Sequence, residues 1–143
     1  MKELEYPFDS EFVLRKKKFL KKELLKKDKL IEKKIAILSG STVGETQNIL
    51  ELFLLNHDIK PTFWQGQYNR YYEEVMFDNQ DLKNFKPDVI YIHTTNKNIT
   101  DFPFPEDSSE IVSKKVNLTF THFSQIWDKL RDEIPCPIIQ NNF

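Results

Sequence analysis

Ile35-Ala36-Ile37-Leu38-Ser39-Gly40-Ser41-Thr42-Val43-Gly44-Glu45 is the stretch whose reading decides the fold. An apolar run stops at Ser39-Gly40-Ser41, and a helical pattern begins at once. A continuous apolar run of this kind suits a strand buried on both faces. In an open α/β sheet, the junction from such a strand to the next helix lies on the edge where ligands bind. A serine there can be a nucleophile, a donor to a bound anion, or part of a tight turn. Thr42 and Glu45 have the T-x-x-E spacing of a capping box, which would set the positive end of a helix beside Ser41.

Upstream of this stretch, residues 1–9 look irregular, with Pro7 as a breaker. Ser10 can cap a helix running to about Lys29, and Val13, Leu20, Leu24 and Ile31 share one face of it. Residues 15–34 also carry eleven lysines and arginines against Glu23, Asp28 and Glu32. Such a run can mark a nucleic-acid or membrane patch. The core-facing stripe on the same residues favours a solvated face that complements an acidic body, with lysine stems covering apolar surface. The whole chain has a net charge of −1, so general attraction to nucleic acid is not expected.

Downstream, strands are expected over 34–38, 61–65, 88–93 and 135–140. Helices are expected over about 42–56, 69–77, 81–85 and 119–132, and residues 97–116 read as a long loop with some helix. Strands alternating with helices imply a parallel sheet covered on both faces. The fold class is α/β: a three-layer, doubly wound parallel sheet of at least four strands, with an extra N-terminal amphipathic helix. The expected division is 1–33 for the basic helix and 34–143 for the α/β domain. The chain stops directly after a strand, where a covering helix is usual, so the domain is expected to continue past Phe143. A chain of 143 residues, 39% hydrophobic and 30% charged, is globular and long enough for a real core. Cys136 is the only cysteine, so no internal disulfide can form, and it reads as a small apolar residue in a buried strand. With no N-terminal signal segment and no apolar run near membrane-span length, the cytoplasm is the expected location.

All strands of a parallel sheet point one way, so the residues just past each strand share an edge. Here these are Ser39, Gly40 and Ser41, then Gly66, then Thr94, Thr95 and Asn96, then Asn141 and Asn142. They form a rim of small and polar residues. A nucleophilic Ser41 needs a base. His57 follows a helix and belongs on the opposite edge. His93 ends the third strand, and His122 sits in the first turn of the expected last helix. No metal-ligand spacing occurs, and neither G-x-x-x-x-G-K-[ST] nor G-x-G-x-x-G is present.

The rim residues resemble the conserved blocks of SGNH hydrolases. In that family a strand followed by Gly-Asp-Ser carries the nucleophile. Ser41 matches the Ser, while Gly40 stands where the family has Asp. Gly66 matches the oxyanion-hole Gly in order and location, and Asn96 matches the Asn donor of the third block, with Lys97 in place of the following Asp. The resemblance implies Ser41, Gly66 and Asn96 as catalytic residues, with Ser39, Gly40, Thr42, Thr95 and Asn141 binding substrate. The family's Asp-x-x-His block has no counterpart here.

A closer resemblance covers most of the chain. Gly40-Ser41-Thr42, residues 49–55, Tyr68-Asn69-Arg70-Tyr71-Tyr72-Glu73-Glu74, residues 87–94 and Ile138-Ile139-Gln140-Asn141-Asn142-Phe143 resemble the N-terminal region of FkbH-like proteins. There an SGNH-like domain, of SGNH/flavodoxin-like fold, precedes a phosphatase-like domain of the haloacid dehalogenase superfamily, subfamily IIIC. The resemblance implies a protein that loads glyceryl or related acyl groups onto an acyl carrier protein, in polyketide or surface-polysaccharide biosynthesis. Mg²⁺ would belong to an Asp-x-Asp motif in the phosphatase-like domain, a motif these residues lack, so no cofactor is expected in this stretch. The expected partners are an acyl carrier protein and the C-terminal catalytic domain, with neither nucleic acid nor a membrane span involved. Without a base, the fragment alone should be nearly inert. The alternative is a non-catalytic module that binds the carrier protein or packs against the phosphatase-like domain.

Overall fold

The computed structural model describes residues 1–142. Phe143, the last residue of the 138–143 string, lies outside the described residues. Four strands, β1 (Ile31–Ser39), β2 (Ile59–Gln65), β3 (Val89–His93) and β4 (Ile138–Gln140), form one sheet. Its order is β2-β1-β3-β4, and every pairing is parallel. The chain moves from β1 outward to β2, then crosses back to β3 on the other side of β1. The crevice between β1 and β3 is therefore the topological switch point, where doubly wound sheets bind ligands.

Side-chain alternation along β1 assigns the two faces. Ile35 and Ile37 point to one side and pack with Val43 and Leu54 of the segment leading through α2 (Gly44–Asn56). Ala36 and Leu38 point to the other side. There they join α3 (Tyr71–Met76), α4 (Gln80–Phe85) and α5 (Ser109–Glu133) through Tyr71, Val75, Leu82, Phe123, Ile126 and Leu130. The three-layer, doubly wound reading holds, and the fold is flavodoxin-like.

α1 (Ser10–Leu24) lies on the outside of α2, where Val13, Leu20 and Leu24 pack on Leu52 and Leu55. Its lysines reach across the seam: Lys17 pairs with Glu45, Lys21 with Glu51 and Lys27 with Asp58. The basic run thus complements acids of the body, and its apolar stripe is core. Exposed pairs of this kind add little stability each.

Several boundaries differ from the sequence reading. α1 is capped by Asp9, whose carboxylate accepts from the Phe12 amide, and it stops at Leu24 rather than near Lys29. β1 begins at Ile31, inside the segment assigned to the N-terminal helix. The Thr42/Glu45 capping box does not form. The N-cap of α2 is Val43, which has no side-chain acceptor, and Glu45 is turned toward Lys17 instead. α5 starts at Ser109, capped by the Ser108 hydroxyl, so much of the expected 97–116 loop is helix. His122 consequently sits in the middle of α5 rather than in its first turn. Cys136 precedes β4 and is half-buried, with burial holding its thiol above the ordinary pKa. Among the described residues, no helix is long and apolar enough to cross a membrane.

Candidate functional site

The C-terminal edge of the sheet gathers the rim residues, but it splits them into two groups. The first surrounds the end of β1. Ser39 is fully buried, and its hydroxyl has no hydrogen-bond partner among the described residues. Gly40 continues the ladder by donating its N–H to the His93 carbonyl at 2.8 Å. Ser41 is half-buried and Thr42 exposed.

Asn98, which the motif reading passes over, fills the switch point. Its side-chain NH₂ donates to the Gly40 carbonyl at 3.0 Å and to Asn69 Oδ1 at 3.2 Å. Its Oδ1 accepts from the Thr95 amide at 2.8 Å. A Cβ on Gly40 would stand 2.3–2.5 Å from the Asn98 amide group, so glycine is required here for space. Its φ is not in the left-handed region. Asn98 thus ties together the loops after β1, β2 and β3. Thr95 completes this with a capping box to Asn98, on a short 3-10 turn over Asn96–Asn98.

Gly66 is placed differently from an open oxyanion donor. Its N–H donates to the Ile37 carbonyl at 2.9 Å, extending the β1–β2 ladder. Asn96 is exposed at the start of the 3-10 turn. The two candidate bases are each held by a tyrosine. Tyr91 Oη lies 2.9 Å from His93 Nδ1, and Tyr71 Oη lies 3.2 Å from His122 Nε2.

The second group surrounds the end of β4. The Asn141 side chain accepts from the Thr94 amide at 2.9 Å and donates to the Thr94 carbonyl at 2.6 Å. These bonds satisfy a buried backbone as one further ladder rung would. Trp127 Nε1 donates to Gln140 Oε1 at 2.7 Å, and Gln140 Nε2 donates to the Thr94 hydroxyl at 3.1 Å. This polar chain fixes the indole ring.

Beside that ring opens a cavity of about 550 Å³ between α5, the 99–103 segment and the end of β4. Phe102, Val116, Phe120, Phe123 and Trp127 give it an apolar wall. A second hollow shares Ile99, Phe102, Asn141 and Asn142 with it and extends to Thr94, Thr95 and Asn96. Thr95, Asn96 and Asn141 therefore adjoin the apolar cavity, while Ser39, Gly40, Ser41, Thr42 and Gly66 line neither hollow. The sequence reading missed the cavity because Lys115 and Val116 lie in turns of α5 that were read as loop, and because no local pattern shows that Phe120, Phe123 and Trp127 border a hollow. The signal was Ser108, an N-cap residue three positions ahead of Ile111.

Lys115 holds the 99–107 segment against α5. Its ammonium lies 2.9 Å from Asp107, 3.2 Å from Asp101 and 3.1 Å from the Phe102 carbonyl, and over the Phe104 ring. The hydrogen bond to Asp107 is the main influence raising the Lys115 pKa. Asp107 in turn is held below the usual carboxylate value, first by the Phe104 amide and then by Lys115.

Burial lowers the His122 pKa below its ordinary 6.5, and Glu73 opposes this only in part. The unfolded state then binds more protons between the folded and ordinary values, so stability rises with pH across that window. Stability is expected to fall as the medium is acidified through pH 6.5, and this component should level off below the folded pKa. His122→Phe keeps a ring stacked on Tyr72 and should remove this component. Urea midpoints of both proteins, measured between about pH 7.5 and 5, would check it; parallel curves would refute it.

Among the described residues, no cluster of three or more His, Cys, Asp or Glu could hold a metal ion.

No family model matches the chain, and no curated protein matches it. A solved structure does: the crystal structure of the N-terminal part of the protein BF1531 from Bacteroides fragilis, containing a phosphatase domain complexed with Mg. The TM-score is 0.66 at 19% identity, over 88% of this chain and 32% of that one. The likeness establishes the fold, and this chain spans about a third of the length of that structure.

Proposed function

We propose that these residues are the SGNH-like domain of an FkbH-like protein, and that the domain holds an acyl group presented by an acyl carrier protein. The observation that carries this reading is the apolar cavity of about 550 Å³ opening beside the polar rim of Thr94, Thr95, Asn96 and Asn141. Pockets of this size, apolar with a few placed polar groups, are typical small-molecule sites. The fold likeness to the N-terminal part of a protein with a phosphatase domain supports the FkbH-like assignment. The loading of glyceryl or related acyl groups, and Mg²⁺ chemistry in a phosphatase-like domain, belong to the whole protein under this proposal.

Holding fits the geometry better than acyl transfer. The Gly66 amide is already engaged by the Ile37 carbonyl, and among the described residues neither His93 nor His122 is hydrogen-bonded to Ser41. One observation favours transfer: Ser41 is half-buried on the correct edge, with no side-chain hydrogen bond among the described residues.

The test is titration with octanoyl-N-acetylcysteamine, a short mimic of a carrier-bound thioester, read by tryptophan fluorescence. Saturable binding is expected, with a signal lost in Trp127→Phe and retained in Trp64→Phe. Absence of saturable binding, or a signal that survives Trp127→Phe, would overturn the reading. Release of octanoate that stops in Ser41→Ala would replace holding by transfer.

A further inference from the structure

The geometry points to an uncharged, medium-length apolar acyl chain as the cavity's occupant, in preference to a free carboxylate or a short hydroxylated acyl unit. This rests on the acyl-holding role proposed above and names its ligand class. Three observations carry it.

The first is the wall. Phe102, Val116, Phe120, Phe123 and Trp127 offer rings and methyls, and the polar groups among them are the indole N–H and the Thr119 hydroxyl, which donates to the Lys115 carbonyl, with Asn142 at the exposed mouth. The indole N–H is spent on Gln140. Gln140 and Asn141, the amides at the inner end, are themselves committed to Thr94. A hydroxylated three-carbon unit would lose its water along this wall while regaining few of its hydrogen bonds, which is unfavourable. An apolar chain loses nothing of the kind and gains from burial.

The second is charge. Lys115 is a cation on the cavity wall, and its side chain is only 13% exposed. Asp101 and Asp107 both hold it, so the local cluster carries one positive charge against two negative ones. The Phe102 carbonyl takes a further N–H of the ammonium. An incoming carboxylate would meet net negative charge and a cation whose donors are already directed elsewhere. A neutral thioester or amide meets no such repulsion.

The third is exposure. Val116 and Phe120 are 56% and 62% exposed, an apolar lip at the mouth of the cavity. Burying it against a chain is favourable in proportion to area. The cavity also exceeds what a three-carbon unit would fill.

Calorimetry on the intact chain would test this with four probes. Octanamide and octanoate differ in charge at equal length. Octanoyl- and glyceryl-N-acetylcysteamine differ in the acyl group at equal head. Octanamide is expected to bind at least about tenfold tighter than octanoate at low salt, and the octanoyl thioester at least about tenfold tighter than the glyceryl one. Asp101→Asn combined with Asp107→Asn should narrow the octanamide–octanoate gap. Phe120→Asp, a change at an exposed position, should lose octanoyl binding while retaining the native circular dichroism spectrum.

Equal affinity for octanamide and octanoate would overturn the charge argument, and equal affinity for the two thioesters would overturn the chain-length argument. Either result leaves acyl holding intact, because binding itself is still seen. Self-association that buries Trp127 and excludes every probe would overturn both.

Discussion

Gly40→Ala is expected to destabilise the domain by about 2–4 kcal/mol, and most of the added cost should vanish when Asn98 is also replaced by alanine. The new methyl would stand 2.3–2.5 Å from the Asn98 side-chain amide, inside any permitted contact. That amide is a short group held by Gly40, Asn69 and Thr95, so it can yield only by giving up those bonds. Each bond contributes about 1 kcal/mol net, and orphaning a partly buried Thr95 amide adds a desolvation cost of similar size. Asn98→Ala alone loses the same bonds and should cost about 1–3 kcal/mol. Because both changes break one arrangement, the double variant should fall short of additivity by at least about 1 kcal/mol. Urea unfolding of the four proteins measures this coupling. Additive losses would show that Asn98 does not occupy the space that Gly40 leaves.

The second large effect is expected at Ile126. Ile126→Ala should cost about 2–5 kcal/mol, because the side chain is fully buried and the surrounding sheet cannot collapse around the void. Ile126 sits on the face of α5 that packs on Ala36, Leu38, Ile90 and Ile92. Phe120, two turns earlier on the solvent side and 62% exposed, provides the contrast. Phe120→Ala should shift stability by less than about 0.5 kcal/mol while weakening ligand binding. A urea midpoint lowered at unchanged slope for Ile126→Ala, and an unmoved one for Phe120→Ala, is the expected pattern. Equal midpoints for the two would contradict the assignment of faces on α5.

The strands were legible because buried parallel strands carry their signal locally. Ile35-Ala36-Ile37-Leu38 and Val89-Ile90-Tyr91-Ile92 are apolar without interruption, and both proved central in the sheet. The N-terminal stripe of Val13, Leu20 and Leu24 was equally plain, since packing on α2 demands one apolar face. The start of α5 was obscured for the opposite reason. Its first turns overhang the sheet, so they bury little and show no clean period, and the Ser108 cap was the sole local mark. Asn98 was invisible because its role depends on Gly40, Asn69 and Thr95, which only the folded topology brings together. The T-x-x-E pattern misled because α2 starts later than Thr42 and a lysine from α1 competes for Glu45.

β4 is the shortest of the four described strands and lies at one edge of the sheet. Each of its rungs joins residues far apart in the chain, such as Ile90 with Ile138. Pairings of that kind close large loops, as the β1–β3 pairing also does. Short edges also open first in the native state, at a free energy below that of global unfolding. Trp127, Gln140 and Asn141 all depend on this strand's being in place. The cavity therefore shares the fate of this edge, and is expected to open before the centre of the sheet does. A ligand seated there would act as a kinetic clasp, slowing the opening of the edge while leaving the β1–β2 half untouched.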